Sequence, residues 1–335
     1  MNARVAGILV LLLVVLGGAA LLYQRQDKPA PTTELGQPLL KGLRAADIAA
    51  IRITEPQAAL TLKRKEDGWV IAERAEFPAS LGAVRQFVLR AIELKAGRTE
   101  PIGEKDRSRL NVDASGTQVE FQSADGKALA RMIVGKKYFK REPEDAAKAT
   151  ADGRFVVLPE SPDRVHVVAE PLVQASAQSR SWIDHTAFKI EKVGALEVRF
   201  PDGGGWRIER NADNADWKLD GAKAGEKLDI ARANAASYML GQQELADVAA
   251  PGSKPEETGL DKPILVHATT LQGKRYELRV GKLAGEDYYV SFSGPGDDPL
   301  EKRLAQHVLL IPKSKLEDTL KRREEMLEKK QDTKK

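Results

Sequence analysis

Four histidines, a recurring aspartate and a recurring tryptophan are the residues of this chain whose chemistry invites a function. His166, His185, His267 and His307 stand far apart, and no two have the spacing that sets two imidazoles on one helix face. Each reads as a packed or surface imidazole, and no metal ligand set is predicted. The chain has no cysteine, which excludes disulfides, thiolate metal sites and thiol catalysis. No Gly-x-Ser-x-Gly elbow is present to stage a hydrolase serine. Gly126-Lys127, Gly273-Lys274 and Gly281-Lys282 lack the upstream glycine and the following Ser or Thr of a phosphate loop. They fit hairpin turns or strand ends, and Gly203-Gly204-Gly205 fits a tight turn. Asp297-Asp298, beside Gly296, lacks the further oxygens of a cation cage.

Asp113 and Asp261 lie 148 positions apart, within Leu110-Asn111-Val112-Asp113 and Thr258-Gly259-Leu260-Asp261. Paired carboxylates of this kind are what a glycosidase needs. Both, however, follow a helix at the start of a hairpin, where an aspartate usually accepts from local backbone N–H groups. Trp69 and Trp217 recur at the same offset. A repeated tryptophan beside a strand serves as a core anchor or as a platform for a glycan or peptide. These two are the candidate ligand-binding residues; no catalytic residue and no cofactor is predicted.

The elements that must position them are written twice. Ile51 and Ile53, then Leu60 and Leu62, alternate with polar residues in the first half. In the second half, Leu196, Val198 and Phe200, then Trp206 and Ile208, do the same. Period-two alternation marks half-buried strands. A helix follows in each half: Leu81, Val84, Val88, Ala91 and Ile92 share one stripe, as do Leu228, Ala231, Ala235, Tyr238 and Met239. Hairpins recur over 119–136 and 265–282, each ending in Val-Gly-Lys. Further strands are expected at 155–158, 165–168, 288–292 and 308–311, with a polar insertion at 141–153. The fold class is α+β, in two tandem, internally repeated β-rich domains, each roughly βββαββββ. The expected divisions are 41–180 and 181–312, with the boundary near Ser179–Asp184.

Both ends differ in character from the body. Val5–Tyr23 is a run of 19 uncharged, mostly apolar residues. As a helix it would span about 28 Å, close to the hydrocarbon thickness of a bilayer. Residues 1–23 therefore read as a transmembrane anchor, longer in its apolar run than a signal peptide; a cleavage site near Gly17–Ala20 is the alternative. An exported body is the simplest orientation and a cytoplasmic one the runner-up. Residues 24–40, with Pro29, Pro31 and Pro38, read as a linker. Residues 313–335 read as a charged C-terminal helix capped by Ser314, with Leu316, Leu320 and Leu327 near one stripe. The basic excess sits at the ends: residues 28–312 hold 42 basic and 42 acidic residues. That neutrality argues against a nucleic-acid-binding face.

The opening Leu43–Ile53 (L-x-x-x-D-I-x-x-I-x-I), Asp67-Gly68-Trp69, Leu94–Arg98 (LKAGR), Arg109–Asp113, Val134–Lys136 and Ser181–Asp184 (SWID) together resemble DUF4340. This is a bacterial family of unknown function. Similar domains occur in membrane-tethered accessory subunits of ABC transporters, of the gliding-motility auxiliary type. The resemblance implies an envelope location and an ABC transporter partner, and carries over no catalytic residue. Three functions are in contention. The first is a non-enzymatic envelope protein, periplasmic on the inner membrane, that binds a protein partner. The second is a glycan- or peptide-binding module, with the ligand held between the repeats near Trp69 and Trp217. The third is an acid–base hydrolase using Asp113 or Asp261.

Overall fold

The computed structural model describes residues 36–329. The anchor at 1–23 and most of the linker lie outside the described residues. Among those described, no helix is long and apolar enough to cross a membrane. Residues 36–40 are already packed: Leu39 and Leu40 are buried, and the Leu39 amide donates to the Leu94 carbonyl at 2.7 Å.

The protein is mostly antiparallel sheet with few helices. One sheet takes its strands from β1 (Ala50–Glu55), β2 (Ala58–Lys65), β3 (Gly68–Ile71), β4 (Phe77–Pro78), β5 (Arg98–Pro101), β6 (Thr117–Gln122), β7 (Ala128–Tyr138), β8 (Gly153–Val157) and β9 (Arg164–Val168). Helix α1 (Leu81–Ile92) follows β4, and α2 (Glu104–Arg109) follows β5. The other sheet uses β10 (Val193–Arg199), β11 (Gly205–Glu209), β12 (Lys218–Leu219), β13 (Asp247–Val248), β14 (Ile264–Thr270), β15 (Arg275–Ala284), β16 (Asp287–Ser293) and β17 (Val308–Pro312). Its helices are α3 (Ile230–Met239), α4 (Pro255–Thr258) and α5 (Pro299–Leu304). The strand orders are β4-β3-β2-β1-β6-β7-β8-β9-β5 and β12-β11-β10-β14-β15-β16-β17-β13. With β4 set aside, the two orders correspond strand for strand.

Alternation produces the strands as expected. Ile51 and Ile53 on β1 face Leu62 and Leu60 on β2, and all four are buried. Leu196 and Val198 on β10 face Ile208 and Trp206 on β11 in the same way. The repeated Val-Gly-Lys has a steric cause. A Cβ on Gly135 would lie 2.4 Å from the Leu110 carbonyl oxygen, and one on Gly281 would lie 2.1 Å from that of Thr258. Both glycines sit where the strand register shifts, and both touch the end of a short helix. Those helices run into left-handed residues, Asn111 (φ 53°) and Gly259 (φ 74°), again 148 positions apart.

By proximity the described residues fall into two compact units: 36–43, 90–116 and 131–172 form one, and 44–89, 117–130 and 173–329 the other. The first has a core of Val112, Val157 and Val165, with Ile102, Leu110 and Phe155 against it. In the second, Trp182 of the SWID motif is fully buried and meets Phe87 edge-on at 5.2 Å. Its indole N–H donates to the Ser176 carbonyl at 2.8 Å. The segment around it is stitched to β4 and the start of α1, through Ser80 N–H to the Trp182 carbonyl (2.7 Å) and Asp184 N–H to that of Pro78 (3.0 Å).

Two helical expectations are corrected. In α1 the buried stripe is Val84, Phe87, Val88 and Ala91, and Leu81 is exposed. In α3 the buried residues are Ala233, Ala236 and Ser237, followed by Leu240, whereas Tyr238 is 66% exposed. The true offset between these stripes is 149, because Asp229 caps α3 and sets its start later than the expected pattern.

The C-terminal segment is no helix over its described part. Residues 313–329 hold two 3-10 turns, Lys313–Lys315 and Arg323–Met326, with Leu316 and Met326 fully buried. A helix would consume its own carbonyls. Here they accept from elsewhere: Lys315 O from Gln243 Nε2 (2.9 Å), Lys321 O from Trp206 Nε1 (2.7 Å) and Met326 O from Asp229 N (2.9 Å). Tertiary donors thus outcompete a local helical preference.

Candidate functional site

Trp217, just before the edge strand β12, is 3% exposed. Its indole N–H donates to Asn234 Oδ1 on α3 at 2.9 Å. The Arg210 guanidinium lies 4.5 Å from the ring centroid. Arg210 is fixed in turn: Nε donates to the Val193 carbonyl at 2.9 Å, and Nη2 to Asp213 Oδ1 at 2.8 Å. A desolvated cation over an indole contributes on the order of 1–2 kcal/mol, so the pair locks the β11–β12 connection to α3. Two clefts flank Arg210. One, of about 600 Å³, is lined by Glu209, Asn211, Asp216, Lys218 and Thr269. The other, of about 420 Å³, is lined by Glu191, Lys192, Asp213, Asn234 and Tyr238. Trp69 lies on β3 in the other sheet, half-buried and opposite Arg64.

The acidic candidates are explained by their neighbours. Asp113 accepts from the Ser108 hydroxyl, the Ser115 hydroxyl (2.6 Å) and the Ser115 amide (2.9 Å). The hydroxyl of Ser108, then that of Ser115, then the Ser115 amide hold its carboxyl at a pKa of about 2. Its oxygens are occupied by local donors, as expected for an aspartate opening a hairpin. Asp261 is exposed. Asp298 caps α5 by accepting from Leu300 N at 2.7 Å, and Asp297 pairs with Lys274 at 3.5 Å.

The histidines are dispersed. His166 Nδ1 is 2.9 Å from Thr99 Oγ1, and His185 Nδ1 donates to the Leu245 carbonyl at 2.6 Å. His267 lies beside Glu277 (3.2 Å) and Glu197 (3.8 Å), and His307 packs edge-on against Phe77. Among the described residues no group of three His, Asp or Glu is arranged to hold a metal ion.

Sequence reasoning missed a buried polar node. Asp247 on β13 accepts from the Ser179 hydroxyl and from Val248 N (2.8 Å), with Arg74 Nε at 3.5 Å. Next to Ser179, Arg180 pairs with buried Asp287 on β16. These residues join the β3–β4 connection and the SWID segment to the second sheet, and nothing in their spacing announces it.

A second missed feature is the outer face of α1. Leu81 is 62% exposed and Leu89 47%, two turns apart, with exposed Gly82, Arg85 and Gln86 between them. Gln86 Oε1 accepts from Gln174 Nε2 at 3.1 Å, and the neighbouring Val173 is 66% exposed. No described carboxylate pairs with Arg85.

A family model described as a domain of unknown function (DUF4340) matches residues 69–263. The chain belongs to the DUF4340 family. The matched DUF4340 region begins at Trp69 and takes in the LKAGR, Val-Gly-Lys and SWID elements together with Trp217. No curated protein and no solved structure matches the chain.

Proposed function

We propose that this DUF4340 protein is a non-enzymatic, single-pass protein of the bacterial inner membrane. Residues 1–23 tether it, and the body, on the periplasmic side, binds a protein partner belonging to an ABC-type transport system. In this reading the two sheets are two copies of one unit, 41–180 and 181–312, and their matching strand orders support that. The observation that carries the reading is the outer face of α1. Single exposed apolar residues are ordinary, but Leu81, Leu89 and Val173 around one helix face are what a docking surface presents. Affinity purification of the tagged full-length protein from solubilised native membranes tests it. Stoichiometric recovery of a transporter subunit is expected. Recovery of the chain alone, with normal assembly of every envelope transporter in a strain lacking it, would overturn the reading.

The clefts on either side of Arg210 favour a second reading, in which a glycan or peptide binds against Arg210, whose guanidinium lies over the Trp217 ring. Ligand would then change tryptophan emission in the full-length protein, and Trp217→Phe would remove that change. Unaltered emission across envelope glycans and peptides would dispose of it.

A further inference from the structure

Trp217 is itself covered, so a ligand meets the walls around it rather than its ring. The cleft of about 420 Å³ on the α3 side of Arg210 lies wholly within one compact unit. Small-ligand sites run from roughly 300 to 1,000 Å³, so it is large enough for one. One wall is the face of α3 on which Asn234 and Tyr238 stand one turn apart. Arg210 and the residues leading into β10 form the other, and Gln242 also lines it.

These walls carry unspent hydrogen bonds. Asn234 Oδ1 accepts the Trp217 indole N–H at 2.9 Å, which fixes the amide and leaves its own N–H groups to donate. Arg210 spends three of its five N–H groups, on the Val193 carbonyl and on the carbonyl and carboxylate of Asp213, and keeps the rest. The side chains of Glu191, Lys192 and Gln242 are exposed and have no partner among the described residues. Beside them the Tyr238 ring is 66% exposed. A lone exposed tyrosine is ordinary. This one adjoins an amide and a guanidinium that are both held in place. The fold does not call for it, since α1 carries Leu89 and Arg85 at the positions of Tyr238 and Asn234, 149 residues earlier.

The chemistry of the cleft selects its ligand. A peptide is held through the open backbone of a strand edge or through an apolar groove with pockets for its side chains. Here the wall's backbone is taken. The Ile190 amide donates to the Leu240 carbonyl at 3.0 Å, and the carbonyls of Lys192 and Val193 accept from Leu271 N (2.8 Å) and Arg210 Nε (2.9 Å). Ile190 and Val193 are buried and open no apolar pocket. A sugar ring asks for something else: a flat apolar surface for its C–H face and planar polar side chains for its neighbouring hydroxyls. Tyr238 supplies the first, and Asn234, Gln242 and Arg210 the second. Arg210 is paired with Asp213, and Glu191 is matched by Lys192, so the walls have no net charge to draw an ionic ligand. We infer that this cleft binds an uncharged glycan, with a sugar ring stacked on Tyr238 and its hydroxyls held by Asn234, Gln242 and Arg210. The inference rests on the second reading above and deepens it, naming the ligand and the side of Arg210 on which it lies.

Trp217 reports on the site through Asn234 and Arg210, both of which touch its indole. The full-length protein in lipid nanodiscs, free of glycosidic detergent, is titrated with uncharged oligosaccharides of glucose, galactose and N-acetylglucosamine, and in parallel with a peptide library, while tryptophan emission is followed. At least one oligosaccharide should change the emission saturably. Tyr238→Ala should weaken that affinity about tenfold or more at an unchanged melting midpoint, and Tyr238→Phe should retain it. Glu209→Gln, in the cleft on the other side of Arg210, should leave it unaltered. Affinity unchanged in Tyr238→Ala, affinity lost in Glu209→Gln, or a response to peptides alone would overturn the inference and leave the second reading standing. No response to any oligosaccharide or peptide would remove both.

Discussion

Met326→Ala is the sharpest test of how the second unit is closed. Met326 is fully buried in a segment whose sequence suggests a solvated helix. Its carbonyl receives the Asp229 amide at 2.9 Å, and Leu327 bridges to Leu228, so the side chain is held at the N-terminus of α3. Truncating a buried methionine to alanine costs about 2–5 kcal/mol, from lost transfer free energy plus the residual cavity. Glu324, two residues earlier and exposed, is the control: Glu324→Ala should stay within about 0.5 kcal/mol. Urea unfolding of the full-length protein in detergent, followed by tryptophan emission, reads both. Trp206 is a local reporter, since its indole donates to the Lys321 carbonyl at 2.7 Å. The midpoint should fall markedly for Met326→Ala at unchanged slope. Equal midpoints for the two variants would refute the packed tail and restore the charged helix expected over 313–335.

Three further outcomes follow from the same geometry. Gly281→Ala, whose Cβ would lie 2.1 Å from the Thr258 carbonyl oxygen, should destabilise by about 1–3 kcal/mol in thermal unfolding; an unchanged midpoint would contradict the close approach. Asp247→Ala should destabilise by about 3–5 kcal/mol, because it strands Arg74 and the Ser179 hydroxyl in a buried setting, and a neutral result would show the node to be solvated. The Asp113 carboxyl, held at about 2 against roughly 3.9 in an unfolded chain, should still be ionised at pH 3. Its stabilising share is complete above the unfolded value and is lost as pH falls toward the folded one. A carboxyl carbon NMR titration centred near 3.9 would refute the serine cradle.

The parts of the fold that were legible are those where one local pattern decides the outcome. Ile51, Ile53, Leu196 and Val198 alternate because each strand buries one face, and the recurrence of Val-Gly-Lys marks a backbone approach that only glycine allows. Strands β4, β5 and β13 are two to four residues long, too short for alternation to show. The α3 stripe was misplaced because a capping aspartate, not the preceding repeat, sets where the helix starts. The tail was misread because its carbonyls are claimed by Gln243, Trp206 and Asp229, which lie 72 to 115 residues away for the two side-chain donors. At the site, recurrence singled out Trp217 but could not supply Arg210 over its ring or Asn234 at its indole N–H. Leu81 was placed in the core stripe by periodicity, and only burial shows that it faces outward.

Cross-linking mass spectrometry of the tagged full-length protein in its native membrane tests the proposal that the body binds a protein partner. Reproducible links from residues of the 44–89, 117–130 and 173–329 unit to a subunit of an ABC-type transport system are expected. Links confined to the chain itself, at a depth that samples the known complexes of the same membrane, would contradict it.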